Sequence, residues 1–294
     1  MSEQSIRRED PAPGVARVVL ARPEMRNAQS PELLYELDAA FAAATADSAI
    51  KVIVLAADGP DFSSGHDLRA GFYLPCAPVA TMAAGLDAGG AEGHYAFECE
   101  AYLGLCRRWR EIPKPTIAQA QGRTIAAGLM LLWPMDMIVA ASDATFSDPV
   151  TAFGVNGVEY FTHAWELGAR KAKEILFTGR ALTAQEAREV GMVNHVVAQA
   201  ELESFTTGLA MQIASRPAFG LRLAKESVNR SLDAQGQSTA LDAAIALHNR
   251  GHASNLARHG QILDPTGAEV IRAGAKRATE GGLPPPAQQA NPDA

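Results

Sequence analysis

Apolar and polar positions along this chain alternate between strand-like and helix-like patterns. Val15–Leu20 is rich in β-branched residues and predicts a strand. Ser30-Pro31-Glu32 then supplies an N-cap, a proline at the first helical position and an acid in the first turn. Leu33, Leu34, Leu37, Ala40 and Phe41 follow at helical spacing. Residues 50–56 are apolar apart from Lys51, as in a strand buried on both faces, and Asp58-Gly59-Pro60 ends the run. Thr116–Ala120 and Met137–Ala141 are two further strand candidates. This rhythm predicts an α/β domain.

Residues 70–93 are rich in Gly, Ala and Pro and read as a loop or mobile segment. Residues 95–109 read as a helix that ends before Pro113. From about Glu201 the strand patterns stop. Helical patterns then cover 205–214, 218–231 and 239–259. Residues 281–294, with Pro284-Pro285-Pro286, read as a disordered tail.

Composition narrows the functional classes. The 294 residues fit one or two domains with a sizeable core. A net charge of -7, with acids and bases mixed, gives no footprint for nucleic acid. The cysteines, Cys76, Cys99 and Cys106, are odd in number and lack metal-ligand spacing. We therefore expect neither a disulfide framework nor a metal. The start, Met1 to Asp10, is polar and unlike a signal peptide, and no apolar run reaches the roughly 20 residues of a membrane span. The expectation is a cytoplasmic protein that binds no membrane. Neither a P-loop nor a GxGxxG is present, so no nucleotide triphosphate or NAD is expected.

Four ordered stretches carry a family resemblance. The first is Arg22-Pro23-Glu24-Met25-Arg26-Asn27-Ala28, and the second is Asp61-Phe62-Ser63-Ser64-Gly65-His66-Asp67-Leu68. The third is Lys114-Pro115-Thr116-Ile117-Ala118-Gln119-Ala120-Gln121-Gly122, followed by Ala126-Ala127-Gly128. The fourth joins Leu176-Phe177-Thr178-Gly179-Arg180 to Ala187-Arg188-Glu189-Val190-Gly191-Met192-Val193-Asn194. Together they resemble the enoyl-CoA hydratase/isomerase (crotonase) superfamily. The resemblance implies a spiral of ββα units over residues 1–200 and a helical C-terminal trimerisation region over 201–280. It also implies a homotrimer or a dimer of trimers. The substrate implied is an acyl-CoA thioester, with CoA part of the substrate and no separate cofactor.

The resemblance also implies site residues. Two backbone N–H groups, of His66 and Ala127, would form an oxyanion hole for the thioester oxygen. The helix after Ala127 would aim its positive end at the same oxygen. The plainer reading is that Ala126, Ala127 and Gly128 are small residues that let helix and strand pack closely. With alanine replacing glycine, this loop is expected to avoid positive φ. Ser64, Gly65, Asp67 and Leu68 would border the adenine pocket, with Asp67 ordering the loop. Arg26, Arg272, Lys276 and Arg277 are candidates for the CoA phosphates, or else form a solvated basic face.

Family hydratases use two glutamates, and the matching positions here are Met130 and Val150. Neither can carry a proton. Glu159, one residue past the position of a catalytic aspartate in some relatives, is the candidate replacement. Held among apolar neighbours, its carboxyl would have a raised pKa. The alternative is a first-turn acid of a helix spanning 160–167. On that helix Tyr160 and His163 would share a face, and Trp165 would pack. Asp148 and Asp136 read as structural, and Glu98 and Glu100 as solvent-exposed. Three functions stay open: proton transfer, hydration or isomerisation of an acyl-CoA; acyl-CoA binding without catalysis; and C–C cleavage or decarboxylation through an enolate.

Overall fold

The computed structural model describes residues 5–82 and 84–279. The 281–294 tail and the Arg277 side chain lie outside the described residues. A six-stranded sheet runs in the order β1-β2-β3-β4-β6-β9. Its strands are β1 (Ile6–Ala12), β2 (Val15–Leu20), β3 (Val52–Ala57), β4 (Thr116–Ala120), β6 (Met137–Ala141) and β9 (His195–Val197). β1 pairs antiparallel with β2, and every other pair in this sheet is parallel. A smaller sheet holds β5 (Arg123–Ile125), β7 (Thr145–Ser147) and β8 (Leu182–Thr183).

The predicted strands lie where the apolar runs placed them, and the sheet explains those runs. All six residues of β2 and of β3 are buried. One face of the sheet packs on α1 (Pro31–Ala46) through Leu33, Leu37 and Phe41. The other face packs on Leu202, Ala210 and Ala214 of a later helix through Val15, Val52, Val54, Ile117 and Val139. Burial on both faces removes the alternating pattern. Each fully buried aliphatic side chain contributes about 1.5–3 kcal/mol relative to exposure. Ser30 caps α1 as predicted, its hydroxyl accepting from the Leu33 N–H.

β1 was not predicted. It is an edge strand, and its Arg7, Arg8 and Glu9 pair with Asp58, Asp47 and Arg17 rather than filling the core. Charged edges of this kind block further strand pairing but leave no apolar signature.

The segment between β3 and β4 is only partly loop. α2 (Gly90–Phe97) runs into a π-helical turn, Glu98–Gly104, and then α3 (Leu105–Arg110), so the helix starts earlier than predicted. The single-turn α4 (Leu129–Leu132) follows β5, the longer α5 (His163–Thr178) follows β7, and α6 (Ala184–Glu189) precedes β9. The helix predicted over 160–167 instead starts at His163, after Thr162. Tyr160 therefore precedes the helix in irregular chain and is buried.

The C-terminal part is helical, as predicted: α7 (Leu202–Ala214), α8 (Ala218–Ala234), α9 (Gln237–His259) and α10 (Gly267–Thr279). α9 and α10 fold back onto the core. A side chain on Gly251 of α9 would collide with Gly154 and Val155, and one on Gly267 with Phe153. Among the described residues no helix is long and apolar enough to cross a membrane.

Candidate active site

A cavity of about 480 Å³ opens between the core and the C-terminal helices. Its walls include Ser64, His66, Asp67 and Leu68 from the chain after β3, and Ala126 and Ala127 from the chain after β5. His94, Glu98 and Tyr102 come from α2 and the π turn, and Val158 and Glu159 from the segment before α5. His248 and His252 come from α9.

The His66 loop is held by neighbours of opposite charge and by its own backbone. Arg123 grips Asp61 at 2.7 and 2.8 Å and holds its carboxyl below the ordinary range. The Asn27 amide donates to the Asp58 and Asp61 carbonyls. Gly65 has φ +89°, and a side chain there would sit 2.9 Å from the Ile125 carbonyl, so glycine is required. The Gln29 N–H donates to the Gly65 carbonyl and the Asp67 N–H to the Gln29 carbonyl. In that parallel bridge the intervening His66 N–H points away from Gln29.

Ala127 lies across from it. Its carbonyl accepts from the Gln29 amide at 2.8 Å, and its N–H sits in the first turn of the short helix 126–132, where an α-helical partner is lacking. Among the described residues neither the His66 nor the Ala127 N–H has a hydrogen-bond partner. One expectation fails here: Ala126 adopts φ +49°, in the left-handed region. The turn that points the Ala127 N–H is tight enough to impose this on an alanine.

Glu159 is buried, and its carboxylate lies 3.3 Å from His66 Nε2 and 3.7 Å from His248 Nε2. Because a carboxylate only accepts, the His66 contact requires the proton on Nε2. The His66 ring stacks on Tyr102 at 4.0 Å. The segment before Glu159 is fastened by Asp148, which accepts from the Val150 and Val158 N–H groups and from His163 Nε2 at 2.8 Å. Asp148 and His163 are completely buried, so His163 belongs to this structural pair rather than to the cavity.

The charge state of Glu159 differs from the expectation. Burial alone would raise its carboxyl, but His66 and His248 outweigh that and hold it below the ordinary range. These neighbours favour the ionised carboxylate over the neutral acid.

Glu98 and Glu100 are buried, at 1% and 0% exposure, against the prediction that solvent surrounds them. Glu100 accepts from the Val79, Ala80 and Thr81 N–H groups, the Thr81 hydroxyl and the Tyr35 hydroxyl. Glu98 Oε1 faces three imidazoles: His94 Nε2 at 2.9 Å, His252 Nε2 at 3.0 Å and His248 Nε2 at 3.6 Å. Burial opposes the charge on Glu98, yet the His252 and His94 hydrogen bonds hold its carboxyl well below the ordinary range. Burial also lowers His252, but the hydrogen bond and charge of Glu98 raise it overall.

These histidines were missed. The available signal was spacing: His94 and Glu98 are four residues apart on one helix, and His248 and His252 four apart on another.

The other candidates scatter. Arg26 keeps 59% of its side chain exposed, lies 3.8 Å from Asp61, and is absent from the cavity wall. Asp67 accepts from the Arg69 N–H, the loop-ordering role expected, and Arg22 stands 3.7 Å away. Gly128 packs on Ser63, whose carbonyl lies 2.8 Å from where a side chain would begin, and does not line the cavity. Arg272 and Lys276 lie on the exposed side of α10. Val150 lines the cavity, while Met130 is buried in the core. Asp136 is structural, bound to Thr116 and to Lys225 at 2.9 Å.

The profile of the enoyl-CoA hydratase/isomerase family matches residues 10–262, and the chain belongs to that family. A Mycobacterium tuberculosis protein, provisionally named enoyl-CoA hydratase EchA13, is 43% identical over 81% of this chain and 77% of its own length. The solved structure of a probable enoyl-CoA hydratase from Mycobacterium smegmatis superposes with a TM-score of 0.80 at 48% identity, covering 88% of this chain and 98% of that one. An Arthrobacter protein named 4-chlorobenzoyl coenzyme A dehalogenase-2 is 31% identical over 69% of this chain and 70% of its own. The fold is thus the crotonase fold.

Proposed function

We propose that this enzyme binds an acyl-CoA thioester, grips its carbonyl oxygen with the His66 and Ala127 N–H groups, and moves a proton on the acyl chain with Glu159. One observation carries the reading. A buried, ionised carboxylate shares a cavity wall with two N–H groups that no described residue uses.

Each part has a defined task. As the proton leaves carbon, negative charge builds on the thioester oxygen, and two preorganised donors stabilise it without rearrangement. A single donor of this kind is worth about 3–4 kcal/mol of barrier. Glu159 accepts the proton and can return it to another carbon. His66 Nε2–H orients the carboxylate and Tyr102 fixes the ring. With Met130 and Val150 at the positions matched to the family glutamates, Glu159 supports isomerisation or addition–elimination better than hydration by a glutamate pair. Ser64, Asp67 and Leu68 would border the CoA, with Arg26, Arg272 and Lys276 as candidate phosphate contacts. The active assembly would be a homotrimer or a dimer of trimers in the cytoplasm, without a separate cofactor.

The test is incubation with enoyl-, dienoyl- and 3-hydroxyacyl-CoAs, followed by mass spectrometry, with Glu159→Gln alongside. Turnover in the parent that is lost in the variant supports the reading. Full activity in Glu159→Gln overturns it. Tight thioester binding with no turnover across the panel would instead indicate a non-catalytic acyl-CoA binding protein, the reading favoured by Met130 and Val150.

A further inference from the structure

Two helices far apart in sequence converge on one carboxylate oxygen. His94 and Glu98 project from α2 and the π turn, one helical turn apart. His252 projects from α9. The two imidazole Nε2 atoms lie 2.9 and 3.0 Å from Glu98 Oε1, and the three ligand atoms all fall within 4.8 Å of one another. Ligands at about 2.0–2.1 Å around a tetrahedral ion stand about 3.4 Å apart. The cluster therefore needs only small side-chain shifts to enclose a cation.

The surrounding bonds point the same way. His252 Nδ1 lies 2.8 Å from the Ile262 carbonyl. A carbonyl only accepts, so Nδ1 carries a proton; Nε2 here donates to Glu98, and a bound cation would take the place of that Nε2 proton. A backbone carbonyl behind a histidine is the arrangement that fixes the tautomer and orientation of a metal-binding imidazole. Glu98 is 1% exposed, and its Oε2 has no hydrogen-bond partner among the described residues. A buried carboxylate oxygen left unpaired is costly, and a cation that Glu98 grips through both oxygens would satisfy it. His248 lies farther from Glu98, at 3.6 Å, and also faces Glu159, so it is not counted among the ligands.

We propose that His94, Glu98 and His252 form a binding site for a divalent cation of the zinc or iron(II) class, on the wall of the acyl-CoA cavity. Two imidazoles and one carboxylate suit borderline metals, whereas magnesium and calcium prefer oxygen ligands throughout. The site reverses the sequence expectation of no metal, which rested on cysteine usage and short-range spacing. It does not depend on the reaction proposed above.

The untagged chain, stripped with chelator, would be titrated with Co²⁺ and Zn²⁺. Metal content would be read by elemental analysis and Co²⁺ ligation by visible absorption. The expected result is one equivalent per chain, unaffected by excess Mg²⁺. Affinity should fall at least about 10-fold in His94→Ala and in His252→Ala, and stay unchanged in Cys76→Ser. X-ray absorption on the Co²⁺-loaded parent should show nitrogen and oxygen neighbours with imidazole scattering and no sulfur, a readout independent of how the variants fold. No stoichiometric binding, binding that persists in both histidine variants, or a sulfur shell would overturn the proposal. The cluster would then be an ion pair held by protons alone.

Discussion

At the scale of single residues, backbone strain and buried charge mark the site. Ala126 occupies φ +49° to place the Ala127 N–H beside Gly65. Left-handed geometry costs an ordinary residue about 1–2 kcal/mol, part of which glycine avoids. Ala126→Gly should therefore raise stability by about 0.5–1 kcal/mol in thermal or urea unfolding. Unchanged or lower stability would show that the turn is not strained. Glu159→Gln keeps the shape of the side chain and removes the base, so kcat should fall about 10²- to 10⁴-fold. KM should change little if the N–H pair holds the thioester, and steady-state kinetics on whichever thioester turns over would separate the two. Asp148→Asn weakens a fully buried pair with His163 and slackens the segment before Glu159. A loss of about 3 kcal/mol is expected in chemical unfolding.

Among the elements, the helix Gly90–Arg110 does the most to shape the cavity. Its α2 part sends His94 to the cavity, and its π turn sends Glu98 and Tyr102 there and Glu100 into a separate buried pocket. Glu100 gathers the Val79–Thr81 backbone. Burial would raise its carboxyl, but the Thr81 hydroxyl, the Ala80 and Val79 N–H groups and the Tyr35 hydroxyl pull it below 4.5. A lowered folded pKa means stabilisation is full above the unfolded value and fades as pH falls through the folded one. Amides 79–81 should therefore be protected from hydrogen exchange at neutral pH and lose that protection only as pH falls below the ordinary glutamate range, through the lowered folded pKa. In Glu100→Gln they should exchange rapidly at every pH. Protection equal to the parent would show that other contacts hold this segment.

At the scale of the whole molecule, apolar side chains stay uncovered in the single chain, among them Phe219, Leu223 and Val228 on α8 and Leu247 on α9. Exposed groups of this size on adjacent helices are common at subunit interfaces. The mass by light scattering should come out near three or six times 31.1 kDa. Phe219→Asp should shift it toward the single chain, and a monomeric parent would remove the basis for the trimer.

The α/β class, the buried central strands, the capped α1 and the C-terminal helices were legible in the sequence. Each depends on local periodicity, N-cap chemistry or continuous apolar runs, which act over a few residues. The His66 loop and the Ala126–Gly128 turn were legible too, because tight backbone geometry restricts side chains to a recognisable string. The edge strand β1, the left-handed Ala126, the burial of Glu98 and Glu100 and the lowered pKa of Glu159 were not. Each depends on partners distant in sequence: Glu98 meets His252 across 154 positions and Glu159 meets His66 across 93. The sequence by itself determined the scaffold and where the His66 loop and the Ala126–Gly128 turn fall along the chain. Only tertiary packing decided which carboxylates are buried, what charge they keep, and that histidines from two remote helices share one cavity.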